Sequence, residues 1–132
     1  MDFVKALAEN DPSNTGWQHG LSVSFNRIGD VRCAQGDLAG ALEAFQASMD
    51  VAKVLAASDP SNAGWQRDVA TSLFRIATVH EQQRQFSPAL DYAEKCADIS
   101  ARLAALDPTN ATWQNDVKVS SAMVARLKAA GD

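Results

Sequence analysis

The sequence predicts an all-α protein: an array of antiparallel helix hairpins stacked side by side. Three observations carry this. Trp17, Trp65 and Trp113 stand 48 residues apart, and Asp11-Pro12, Asp59-Pro60 and Asp107-Pro108 keep the same interval. A period of that length marks repeated supersecondary units. Between these landmarks the apolar residues advance in steps of three and four, as on one face of an amphipathic helix. No stretch shows the two-residue alternation of a half-buried strand.

In chain order, residues 1–10 read as the tail of a second helix, because Lys5 and Leu7 fall on Lys53 and Leu55 one period later. Residues 11–58 form the first full unit, 59–106 the second, and 107–132 the opening half of a third. The first helix of each unit carries Trp17, Leu21, Phe25, Ile28 and Val31, repeated as Trp65, Val69, Leu73, Ile76 and Val79. The second carries Leu38, Leu42, Phe45, Met49, Ala52 and Leu55, repeated as Phe86, Leu90, Ala93, Ala97, Ile99 or Ser100, and Leu103. At about 20 residues each, these helices would be roughly 30 Å long.

The breaks between helices are also spelled out. Gln35-Gly36-Asp37 offers a glycine for the left-handed position that ends a helix and an aspartate to cap the next. The second unit has Gln83-Arg84-Gln85 there, so its second helix is expected to start with Ser87 as cap and Pro88 in the first helical position. Between units, Asp-Pro-Ser/Thr-Asn stops one helix with proline and supplies Asp and Asn oxygens to cap the next.

Composition bounds the function. With 132 residues and 46% hydrophobic side chains, the chain is expected to build a core without metals or disulfides. Twelve basic against sixteen acidic residues give a net charge of −4, with no basic face for nucleic acid. No apolar run approaches the roughly 18 residues that span a bilayer, so no membrane partner is expected and a cytoplasmic location is the default. Cys33 and Cys96 are read as thiols in small apolar roles.

The run Phe25-Asn-Arg-Ile28-Gly29, then Gly36-Asp37, Ala41-Leu42 and Phe45, resembles the tetratricopeptide repeat pattern. The second unit fits it less closely, with Ala77, Ala89 and Ala93 in the small and aromatic positions and Tyr92 displaced by one. A standard repeat has about 34 residues. Counted from the prolines, the surplus divides equally between the two helices, about two turns on each, which extends the hairpin without changing the faces that meet. The likeness implies a right-handed superhelical stack in a long-helix variant, with Phe45 filling the space beside Gly29 and Ala41.

It also implies a role: such arrays receive a peptide or partner helix on the concave row of first helices. The positions that would face this groove are Val23, Asn26, Asp30 and Cys33, then Thr71, Phe74, Thr78 and Glu81, then Ala122 and Arg126. The family's carboxylate clamp would map to Asn26, Asp30, Arg75, Val119 and Met123, none of which suits it, and Asp30 would repel a carboxylate. Arg27 and Arg75 recur at one place and suggest an anion ladder on the groove edge, with local pairing as the preferred reading. Phe74 replaces Asn26 of the first unit and reads equally as a ligand anchor or as packing. The tryptophans are read as packing at the start of each first helix.

Nothing points to catalysis. His19 and His80 occupy unlike repeat positions without ligand partners at metal spacing, and no phosphate loop or nucleophile motif is present. Glu81, Asp91 and Glu94 read as surface carboxylates. A non-enzymatic scaffold with no cofactor, no metal and an unidentified protein or peptide partner is therefore expected. The last helix carries Trp113, Val117, Val119, Met123, Val124 and Leu127, apolar for a terminal cap. This leaves two rivals: a homo-oligomer formed through open array ends, or a regulatory segment of a larger multidomain protein.

Overall fold

A computed structural model of the chain describes residues 15–131. Five helices occupy them: α1 (Thr15–Ala34), α2 (Leu38–Ser58), α3 (Ala63–Gln82), α4 (Phe86–Leu106) and α5 (Ala111–Gly131). No strand occurs among the described residues. The fold is therefore all-α, with helix lengths of 20 or 21 residues. The expected partial helix over residues 1–10 lies outside the described residues.

The chain forms two compact units, residues 1–68 and 69–132, with the boundary inside α3. In the first, α1 packs on α2. Gly29 lies against the Phe45 ring: a Cβ added there would be 2.7 Å from Phe45 Cζ and closer still to Cε1. Only glycine lets the ring seat, and Ala41 is buried beside it, as the repeat pattern leads one to expect. A second contact is polar. Ser48 Oγ donates to the Ser22 carbonyl oxygen at 2.8 Å, and the two hydroxyls lie 2.9 Å apart, so both buried side chains are satisfied across the helix pair.

In the second unit, α3, α4 and α5 share a core of Ala77, Ala89, Ala93, Met123 and Leu127, against which Phe74, Phe86, Leu90, Tyr92 and Val124 pack. Three of the five core residues are alanines, so the helix backbones approach closely and larger side chains close the margins. Phe74 is thus half-buried, with part of its ring packed against this core.

The turns obey the chemistry of helix ends. At the α1–α2 break Gly36 has φ +79°, the Asp37 N–H bonds the Arg32 carbonyl at 2.9 Å, and the Gly36 N–H bonds that of Cys33 at 3.0 Å. This is a Schellman end, and Asp37 Oδ1 then caps α2 by accepting from the Gly40 N–H at 2.9 Å. The α3–α4 break has the same bonds without the glycine: Gln85 N–H to His80 O at 2.8 Å, Arg84 N–H to Glu81 O at 2.9 Å, with Arg84 at φ +60°.

The expected start of α4 at Ser87-Pro88 is therefore wrong. Helix α4 begins at Phe86 with Gln85 in the cap position, because Arg84 adopts the left-handed turn and leaves the register of the first unit intact. Pro88 becomes the third helical residue, where the missing N–H would have had no partner inside the helix.

The Asp-Pro-x-Asn links repeat atom for atom. Asp59 Oδ1 accepts from Ser61 Oγ at 2.6 Å, and Asn62 Oδ1 caps α3 by accepting from the Trp65 N–H at 3.0 Å. Asp107 does the same with Thr109 at 2.6 Å, and Asn110 with Trp113 at 3.0 Å. Each tryptophan so placed is half-buried.

Candidate functional site

In the second unit two of the residues expected in the groove meet across α3 and α5. Glu81 and Arg126 are joined across the two helices. Arg126 Nε donates to Glu81 Oε2 at 2.7 Å and a terminal guanidinium nitrogen donates to Oε1 at 3.0 Å. The planar fork fits the carboxylate at both oxygens. The hydrogen bond from Arg126 holds the Glu81 carboxyl below the ordinary carboxylate range, with burial opposing it, and the same bond raises the Arg126 guanidinium. Glu81 is thus committed to a partner, where the sequence alone suggested a plain surface carboxylate.

The other expected residues flank this pair. Thr71, Phe74, Arg75 and Thr78 are half-buried on α3, and Ala122 is exposed on α5. Thr78 Oγ1 donates back to the Phe74 carbonyl at 2.9 Å, so its methyl is left for contact. Val119 is exposed one turn before Ala122. Besides Phe74 and Arg75, these residues are short side chains and one internally neutralised ion pair.

The corresponding side of α1, in the first unit, is more polar. Val23 and Asn26 are half-buried, and Arg27 and Asp30 exposed. Asn26 Oδ1 is buried without a protein hydrogen-bond partner, a local cost of about 1–3 kcal/mol. A second cross-helix contact belongs to this unit: His19 Nε2 lies 3.0 Å from Asp68 Oδ2, tying the start of α1 to the start of α3.

Both cross-helix contacts have a regular spacing in the sequence. His19 and Asp68 are one period plus one residue apart, while Glu81 and Arg126 are one period less one turn. In the second unit, opposite charges one repeat apart less a turn are what α3 and α5 bring together.

Elsewhere the polar groups are structural. His80 stacks on Tyr92 with centroids 5.6 Å apart, and its Nδ1 lies 2.8 Å from Gln85 Oε1 at the α3–α4 turn. Burial pushes the Cys96 thiol up to about 11, so it is protonated at neutral pH and unsuited to nucleophilic work. No disulfide joins it to Cys33, which is half-buried on α1. Among the described residues no three His, Cys, Asp or Glu side chains are placed to share a metal ion, and no helix is long and apolar enough to cross a membrane.

No protein-family model matches the chain, and no curated protein matches it. The likeness to tetratricopeptide repeats thus rests on the residues quoted above.

Proposed function

We propose that the chain is a non-catalytic protein-binding scaffold of the tetratricopeptide type, a right-handed stack of long hairpins that receives a peptide or partner helix along its row of first helices. The observation that carries this reading is the Glu81–Arg126 pair. By tying α3 to α5 it makes one surface from Thr71, Thr78, Val119 and Ala122, whose short side chains leave room for a ligand backbone. The internal neutralisation of that pair favours a ligand recognised by shape and apolar contact over a carboxylate terminus. Two cysteines not joined to each other agree with a cytoplasmic setting.

The test is site-specific photo-crosslinking in cell extract followed by purified reconstitution. A crosslinker at Thr78 or Ala122 should trap one partner polypeptide, while the same group at exposed Lys53 on α2 should not. Thr78→Arg should abolish the trapping. Equal yields at all three positions would sink the proposal, and crosslinks joining two copies of the chain would favour a self-associating module in its place.

A further inference from the structure

We draw no further inference here: the strongest candidate, the groove between α4 and α5 floored by Leu90, Ala97 and Val124 and edged by Glu94, Asp98 and Lys128, carries nothing, because its apolar floor is half-buried and nothing in the structure shows what covers it.

Discussion

The two hairpins solve one packing problem with different residues, and the differences come in matched sets. In α1–α2, Phe45 on the second helix fills the interior and Gly29 on the first makes room for it. In α3–α4 the equivalents are Ala93 and Ala77, and the aromatic bulk has moved to the first helix as Phe74, where α1 has Asn26. The hydrogen-bonded Ser22 and Ser48 are likewise exchanged together, for Ala70 and Cys96, both buried. The residues of a contact change together, bulk against space and hydroxyl with hydroxyl, so the identity of a residue follows from its partner across the interface. This is what close packing and costly unpaired polar atoms require.

The most severe way to break the comparison is to remove the aromatic from the first hairpin. Phe45→Ala should destabilise the chain by about 3–5 kcal/mol in urea unfolding, since the ring is almost fully buried. Adding Gly29→Ala and Asn26→Phe, which installs the second hairpin's set, should return a substantial part of the loss. If the triple variant is no more stable than Phe45→Ala, the two hairpins are not alternative solutions of one problem.

The serine pair is next. Ser48→Cys alone removes the hydroxyl contact while Ser22 Oγ keeps its 3.2 Å bond to the residue 48 carbonyl, so it should cost about 0.5–1.5 kcal/mol. The double change Ser22→Ala with Ser48→Cys should cost less than the sum of the two singles, and a double-mutant cycle measured by thermal denaturation reads this coupling. A strictly additive result would mean the pair contributes nothing as a pair.

Smaller again is the turn. Arg84 holds a left-handed conformation that Gly36 adopts without strain, so Arg84→Gly should raise stability by about 1 kcal/mol. Gly36→Arg should lower it by a similar amount or more, and differential scanning calorimetry of both variants sharpens the claim that the turns are geometrically equivalent.

The smallest effect is the exposed ion pair. Arg126 holds the Glu81 carboxyl below its ordinary value, so the folded state binds that proton less readily than the unfolded chain. The resulting stability is present above the ordinary carboxylate range and is lost as pH falls through the lowered folded value. Glu81→Gln should flatten this acid-side dependence by well under about 1 kcal/mol, as the Arg126 side chain is 55% exposed and the pair is screened by solvent.

Much of the fold was legible because the sequence repeats. The helix pattern and the asparagine caps before Trp65 and Trp113 follow from local spacing and turn chemistry, and the fit of Phe45 to Gly29 is what the resemblance to tetratricopeptide repeats implied. The site was less legible. Phe74 read equally as a ligand anchor or as packing, because one helix pattern does not show which core lies beneath it. Val31 sits on the same apolar stripe as Leu21, yet one is exposed and the other buried, since periodicity marks a face without saying what covers it. The start of α4 was misplaced because Arg84 in a left-handed turn has no sequence signature; only the backbone bonds reveal it.

The linkers carry a consequence for heredity. Because Asp59 through Trp65 and Asp107 through Trp113 make the same bonds with nearly the same letters, a crossover between their coding segments would delete or duplicate one whole period and still join a capped helix to a terminated one. Length in such a protein is then a quantity that recombination adjusts in steps of one hairpin, with each product keeping its helix register from the first generation.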